Sequence, residues 1–304
     1  MNPPLVSIAI PTYNRADLYL KDALISALEQ SYPNLEIIIA DNCSTDSTEE
    51  LVKRFKDGRI NYVRHDKNIG ANNNFNYCLN AAQGDYFLLL HSDDLIDADF
   101  VNTCLKQGKY RTDLGFIQTG ARVIDTEGKF LFDCKNRAGG LSPDQFFLAW
   151  FKDKTCWYFC NTLFNTRFLR EIGGLRSSKN LIQDNVAIVK LAAQHERADV
   201  EDVKASFRKH FGQMTFAAKV GDWCDDYLTL IDLMCAVVDG SHETIKREGM
   251  RVLCKRNLQR ASAIKSPVSR LLMYITVSKK FQFRYPLIKH LCQNDISWRI
   301  KKIR

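Results

Sequence analysis

Three short apolar runs constrain this chain more than anything else in it. They are residues 6–10 (Val-Ser-Ile-Ala-Ile), 35–40 (Leu-Glu-Ile-Ile-Ile-Ala) and 86–90 (Tyr-Phe-Leu-Leu-Leu). Such runs read as strands buried on both faces of a parallel sheet. Residues 60–63 (Ile-Asn-Tyr-Val) read as a further strand. Between the runs the period changes. Leu20, Ala23, Leu24, Ala27 and Leu28 fall at helical spacing. Thr45-Asp46-Ser47-Thr48, followed by Glu49 and Glu50, carries a helix start with Asp or Ser as cap. Residues 71–82 form another helical segment after the turn Asn68-Ile69-Gly70. The order β-α-β-α-β-α-β predicts a doubly wound α/β fold. Pro11 is expected to stop the first strand and open a turn.

Polar residues collect where the strands end. Thr12 and Asn14 follow the first, Asp41 the second, and His91-Ser92-Asp93-Asp94 the run at 86–90. Open α/β sheets bind ligands outside the carboxyl ends of their strands, so these loops predict a one-sided site. Asp93 and Asp94 are hard oxygen ligands suited to Mg²⁺ or Mn²⁺ shared with a diphosphate. An Asp in that place serves equally as the cap of a following helix. Neither GxGxxG nor GxxxxGK[ST] occurs, which removes the dinucleotide fingerprint and the P-loop.

Several blocks stand in a familiar order. Val6-Ser7-Ile8-Ala9-Ile10-Pro11-Thr12-Tyr13-Asn14-Arg15 comes first, then residues 24–36, then Asp41-Asn42-Cys43-Ser44-Thr45-Asp46-Ser47-Thr48, Asn68-Ile69-Gly70 and Gly84-Asp85-Tyr86. Over roughly residues 5–215 the chain resembles the family 2 glycosyltransferases of the GT-A fold. The resemblance implies an inverting, metal-dependent enzyme on a mostly parallel GT-A sheet, with Mg²⁺ or Mn²⁺ as cofactor. It implies that Asp41 hydrogen-bonds the base of a nucleotide-sugar donor. Pro11, Thr12, Asn14, Asn68, Gly70, Ser92 and Asp93 would line the same donor site, and Asp93 and Asp94 would hold the metal. A carboxylate accepting an imide N–H suits uracil or thymine, hence a UDP- or dTDP-linked sugar. The family writes Asp-x-Asp-Asp where this chain has His91-Ser92-Asp93-Asp94. His91 is open to three roles: a donor to ribose or diphosphate oxygen, a metal ligand, or a satisfied hydrogen-bonder at a strand end.

Residues 168–175, ending in Gly173-Gly174-Leu175, resemble the block ahead of the family's catalytic acid. Gln183-Asp184 stands where that family has Glu-Asp, which implies Asp184 as the base that deprotonates an acceptor hydroxyl. Val186, Ile188, Val189 and Leu191 predict a helix after it, whose N-terminus should favour the ionised form. Asp184 as a plain cap of that helix is the other reading. Arg208-Lys209-His210 resembles the family's Arg-x-His block, where His210 would neighbour the metal and diphosphate or make a structural hydrogen bond. Ser142-Pro143-Asp144 opens another helix. The basic, Gly-rich residues 134–142 are expected to be a mobile loop. Acceptor subsites are expected in the loops at 134–160 and 176–182.

Charge divides the chain. Residues 1–100 hold 8 Lys and Arg against 15 Asp and Glu, while residues 241–304 hold 16 against 3. Three segments follow from this reading: a nucleotide-sugar half at 1–100, an acceptor half at 101–216 and a helical basic extension at 217–304. In the extension Tyr274, Phe281, Phe283, Tyr285 and Trp298 interleave with Lys279, Lys280, Arg284 and Lys301. That combination suits an anionic membrane surface rather than nucleic acid, or else a helical bundle with a solvated basic face. No run of 18 apolar residues occurs and the first residues lack a signal-peptide pattern. The expected location is cytoplasmic, peripheral on the inner face of the membrane. The expected acceptor is a glycan or lipid-linked glycan of O-antigen or capsule type. Ten cysteines without a CxxC pair are expected as reduced thiols. Two other classes compete: a nucleotidyltransferase, which would carry a Gly-rich basic first loop, and a non-catalytic scaffold for polyanions.

Overall fold

Pairing among the apolar runs builds half of one sheet. The computed structural model describes residues 3–210, 212–213 and 218–291. Strands β1 (Val6–Thr12), β2 (Leu35–Asp41), β3 (Ile60–Arg64) and β4 (Tyr86–Leu89) lie in the order β3-β2-β1-β4, all parallel. Every residue of β1 and β4 is buried, as runs without polar alternation require. Helices α1 (Leu20–Leu28), α2 (Thr48–Lys53) and α3 (Ala71–Ala81) form the crossovers. The chain steps outward from β1 to β3 and then returns to β4 on the other side of β1. Such a reversal opens a crevice at the carboxyl ends of the two central strands.

Pro11 does not stop β1. The strand runs on to Thr12, with Pro11 in register with Ala40 and Thr12 with Asp41. The ladder to β4 ends earlier, at Ala9 and Leu89, and Leu90 N–H donates to the Ala9 carbonyl at 2.9 Å. Pro11 shares the parity of Ala9, so it faces a side where no partner strand remains. A residue without an N–H costs nothing there.

The second half mixes directions. It comprises β5 (Leu95–Ile96), α4 (Phe100–Gln107), β6 (Phe116–Ile124), β7 (Phe130–Cys134), α5 (Pro143–Phe151), β8 (Thr162–Asn165), α6 (Thr166–Glu171), α7 (Gln183–Gln194) and β9 (Arg197–Arg208). The sheet continues β4-β8-β6-β9-β5, with β7 beside β6. Strand β8 is antiparallel to β4 and to β6, whereas β6 and β9 are parallel. Ser142 closes a capping box with Gln145 at the start of α5. The segment 134–142, expected to be mobile, is anchored. Asn136 and Ala138 are buried, and Arg197 Nη2 donates to the carbonyls of Ala138 (3.0 Å) and Leu141 (2.9 Å). A buried guanidinium needs acceptors, and this glycine-containing loop supplies them. Gly174, at φ 75°, lies against Asn76 of α3 so closely that a Cβ there would collide with its Oδ1. Asn76 then clamps Leu175 through both its N–H and its carbonyl, each at 2.9 Å.

The chain divides into two compact units. The sheet unit holds residues 3–176 and 183–213. The other holds residues 177–182 with the described part of the C-terminal region: α8 (Val220–Ala236), α9 (His242–Ala261) and α10 (Pro267–Lys280). Leu230, Met234, Leu253, Leu258 and Val277 are fully buried within it. Trp298 and Lys301 of the basic aromatic pattern lie outside the described residues. Phe211, Met214 and Thr215, which follow the Arg-x-His block, do so too. No helix among the described residues is long and apolar enough to cross a membrane. All nine described cysteines are free.

Segment 177–182, within the loop 176–182 expected to hold acceptor subsites, belongs to the helical unit because of one carboxylate. Asp226 of α8 is buried and accepts from Ser177 Oγ (2.8 Å), Lys179 N–H (2.6 Å) and Leu181 N–H (2.9 Å). Replacing it strands three donors, each hydrogen bond to a charged acceptor being worth about 1.5–3 kcal/mol. Asp226→Ala should therefore lower unfolding stability by about 3 kcal/mol or more, read from the urea midpoint at constant slope.

Candidate active site

The loops after β1, β2 and β3 are tied together by short amide side chains. Asn14 sits at φ 52°, a left-handed conformation that Asn tolerates. Its N–H donates to Ser44 Oγ (2.9 Å) and its Oδ1 accepts from Thr45 N–H (2.8 Å). Asn42 accepts from Ile69 N–H (2.8 Å) and donates to Asn68 Oδ1 (2.9 Å), which also takes Gly70 N–H (2.9 Å). Gly70, at φ 83°, then starts α3. Asn74 in that helix donates to the Ala40 carbonyl at 2.8 Å. Asp41 is 0% exposed. One of its oxygens accepts from Ser44 N–H (2.8 Å), the other from the Tyr62 hydroxyl (2.7 Å). Burial and then Asp41 push the Tyr62 pKa upward, so the hydroxyl stays a donor. What remains of Asp41 for a ligand is the second lone pair on each oxygen. Thr12 is buried beside it in the ladder, and its Oγ1 has no partner among the described residues.

The second group of side chains follows β4. The helix that Asp93 or Asp94 could have capped does not start there. Strand β5 comes first, and α4 begins only at Phe100. The carboxylates are instead held by the end of β9. Asp94 is buried, and its Oδ1 accepts from Arg208 N–H at 2.9 Å. Asp93 Oδ2 lies 2.8 Å from His210 Nε2, and Arg208 Nε donates to the Asp93 carbonyl at 2.9 Å. The Arg208 guanidinium also reaches the Asp125 carbonyl (3.2 Å) and lies 4.4 Å over the Tyr19 ring. Burial first, and then the neighbouring Asp93, hold the Asp94 carboxyl well above the usual range. The Cys160 thiol beside Asp94 is pushed up by burial and so remains a donor.

His91 lies between the rings of Phe75 and Phe159, at 5.0 and 5.2 Å. Its Nδ1 is 3.9 Å from Asp94 Oδ2, and its Nε2 is buried without a partner among the described residues. Burial lowers its pKa, which keeps the imidazole neutral. One ligand atom each from His91, Asp93 and Asp94 come within 4.8 Å of one another. Two carboxylates forced together beside a neutral imidazole fit a divalent cation, whose charge would relieve the repulsion that raises Asp94.

Asp184 is the second residue of α7. Its Oδ1 accepts from Asn185 N–H at 2.9 Å. The preceding Gln183 donates to Asn72 of α3 at 3.1 Å. The helix N-terminus was expected to favour the ionised carboxylate. Burial outweighs it, and the pKa is pushed up to about 7 despite the backbone N–H groups that pull it down.

The structure thus gathers the predicted residues into two sets. Asn14, Asp41, Asn68 and Gly70 belong to the cross-linked loops, with Pro11 and Thr12 at the end of β1. His91, Asp93, Asp94 and His210 form the charged cluster, with Ser92 buried in the same turn. Arg208, Asn42 and Tyr19 were not singled out from sequence. Arg208 opens the Arg-x-His block, so its signal was present. Asn42 follows Asp41 and could have been suspected from the run of Asn residues at strand ends. Tyr19 carries no local signal at all.

A sheet reversing between β1 and β4, with clustered carboxylates at that crevice, is the arrangement of a GT-A fold. The chain matches the family described as Glycosyl transferase family 2 over residues 7–168, and it belongs to that family. Bacillus subtilis (strain 168) TuaG, a glycosyltransferase named for teichuronic acid biosynthesis, is 44% identical over 93 residues. That match takes in 30% of this chain and 36% of TuaG. The chain spans between about a third and a half of the length of the first curated relatives it matches. Among solved structures, S. aureus TarS 1–349 superposes with a TM-score of 0.68 at 15% identity, covering 93% of this chain and 81% of that one. TarS has also been solved with UDP-GlcNAc. The mannosyltransferase PcManGT from Pyrobaculum calidifontis, in complex with GDP-Man and Mn²⁺, gives 0.57 at 17% identity, covering 97% and 88%. At such identities the likeness is one of fold.

The raised pKa of Asp184 has a consequence for stability. A carboxyl that titrates near 7 when folded and near 3.9 when unfolded binds its proton more tightly in the native state. Its contribution is fully present below about pH 4 and is lost as pH rises through about 7. Asp184→Asn, which mimics the protonated form, should match the wild type near pH 4. At pH 8 it should be more stable by about 2 kcal/mol, the full shift being discounted for residual exposure. Denaturant unfolding of both proteins at the two pH values measures this.

Proposed function

We propose that this chain is an inverting, metal-dependent glycosyltransferase. It moves a sugar from a UDP- or dTDP-linked donor to a hydroxyl of a glycan acceptor. The observation that carries the reading is the meeting of His91, Asp93 and Asp94 within 4.8 Å after β4, in a chain of family 2. The TarS complex with UDP-GlcNAc and the PcManGT complex with GDP-Man and Mn²⁺ support a nucleotide-sugar donor and a divalent cation. TuaG, by its name, supports a polysaccharide pathway. The acceptor is a lipid-linked intermediate, of the kind used for O-antigen or capsule, met at the cytoplasmic face of the membrane.

The nucleotide lies against the loops cross-linked by Asn14, Asn42 and Asn68. The unpartnered Thr12 hydroxyl and the free lone pairs of Asp41 offer it hydrogen bonds. Pre-tied loops order little on binding, which keeps the entropic cost low. Asp93, Asp94 and His91 would hold Mg²⁺ or Mn²⁺, which when bound offsets charge on the departing diphosphate. Asp184 accepts the proton of the acceptor hydroxyl. As the acceptor oxygen bonds to the anomeric carbon, the bond from that carbon to the phosphate oxygen breaks. The leaving group departs from the opposite face, so configuration inverts. A base with a pKa near 7 is well matched to this task, being both ionised and basic at neutral pH.

Two outcomes test the reading. A panel of nucleotide sugars, scored for slow hydrolysis with Mn²⁺ and with chelator, should give turnover with a uridine or thymidine donor only when the metal is present. Turnover undiminished by chelator would remove the metal, and Asp93→Ala should abolish the metal-dependent part. In a transfer assay, Asp184→Asn should lose about 10²–10⁴-fold in rate while keeping UDP affinity. The wild-type rate should climb as pH rises through about 7, following ionisation of this carboxyl. A variant that transfers normally at saturating donor would show that another group is the base.

A further inference from the structure

Helix α10 has two apolar faces, and the fold uses one. Tyr274, Val277 and, just past the helix, Phe281 are buried. Val268, Leu271, Leu272 and Ile275 follow the spacing i, i+3, i+4, i+7 and are 69%, 53%, 60% and 37% exposed. That is a complete amphipathic stripe turned outward. The chain beyond the helix adds Phe283, Ile288 and Leu291, exposed by 64%, 77% and 42%. Apolar surface on this scale marks an interaction site rather than scattered surface residues.

The charge around it points to one occupant. Residues 249–291 contain ten Lys and Arg and not one Asp or Glu. Lys265, Lys279, Arg284 and Lys289 are exposed in the same stretch as the stripe. Arg284, next to exposed Phe283, lines a cleft of about 190 Å³ with Glu243, Lys246, Arg247, Met250 and Gln282. We propose that this stripe and its cations form an interfacial membrane-binding face that lays α10 on an anionic bilayer. Apolar side chains enter the headgroup boundary while Lys and Arg meet the lipid phosphates. A second copy of the chain fits less well, because it would bring the exposed Lys265, Lys279, Arg284 and Lys289 of one copy against those of the other. Nucleic acid would answer the charge and leave the apolar stripe in water.

The inference deepens the reading of a lipid-linked acceptor, and its test is separable from that reading. Donor hydrolysis needs no membrane, so it reports on the enzyme alone. The experiment is co-sedimentation of the full chain with vesicles of phosphatidylcholine and with vesicles containing phosphatidylglycerol, across a salt series. Binding should require the anionic lipid and should weaken with salt, since the Debye length contracts to about 3 Å at 1 M. The triple variant Leu271→Glu, Leu272→Glu, Ile275→Glu should bind about a hundredfold more weakly. The triple variant Lys279→Gln, Arg284→Gln, Lys289→Gln should show a similar loss at low salt and little difference at high salt. All six side chains are exposed, so both variants should melt with the wild type and hydrolyse donor at its rate. The proposal is overturned by wild-type protein that stays in the supernatant, or that pellets equally with neutral vesicles. It is also overturned if the Glu variant binds as well as the wild type. Sedimentation velocity showing a dimer that the Glu substitutions dissolve would assign the stripe to a second copy instead.

Discussion

The grip of Arg208 on the turn after β4 is the interaction on which the charged cluster depends. Its backbone N–H holds Asp94, its Nε holds the Asp93 carbonyl, and His210 two residues on holds the Asp93 carboxylate. Two adjacent carboxylates repel each other, and Asp94 is buried besides. Left to itself such a pair would separate or protonate. Donors from the last residues of β9 keep it in place. The antiparallel pairing of β5 with β9, Leu95 opposite Ser206, aligns the two segments so that this can happen. Half of the cluster is therefore a property of the sheet's second half, although His91, Asp93 and Asp94 lie in the first.

Order in the donor loops has a different source. There the cross-links are uncharged: Asn14 to the loop after β2, Asn42 to the loop after β3, Asn74 back to β2. Asparagine offers a donor and an acceptor on a short stem, so one side chain can satisfy two loops at once. Two of the buried polar atoms without a partner among the described residues, Thr12 Oγ1 and His91 Nε2, stand at the ends of the two central strands. Leaving a buried polar atom unpaired costs about 1–3 kcal/mol. For these two atoms the cost falls where the sheet reverses, at the carboxyl ends of β1 and β4.

The helical unit obeys the same rule of satisfying charge locally. Asp226 finds three donors in the short segment that leads into α7, and so draws residues 177–182 out of the sheet unit. The outer face of α10 is left without any such partner within its own unit. Its exposed apolar stripe, with Lys279 and Arg284 exposed beside it, is the surface on which the proposed membrane-binding face rests.

Local sequence determined a good deal of this. Residues 6–10, 35–40 and 86–90 are largely apolar runs of strand length, so they read as central strands, and the helical periods between them read as the crossovers. Ser142 with Pro143, and Gly173 with Gly174, marked element ends by local backbone chemistry alone. Asp41, Asp93 and Asp94 stood out as carboxylates at strand ends. Tertiary structure decided the rest, because it turned on contacts between residues far apart in the chain. Pro11 stays in its strand since β4 has already ended beside it. Residues 134–142 are anchored because Arg197, buried on another strand, needs their carbonyls. Asp184 is pushed up to about 7 rather than held low, because desolvation depends on everything packed around a carboxyl and a helix N-terminus supplies only the nearest few dipoles.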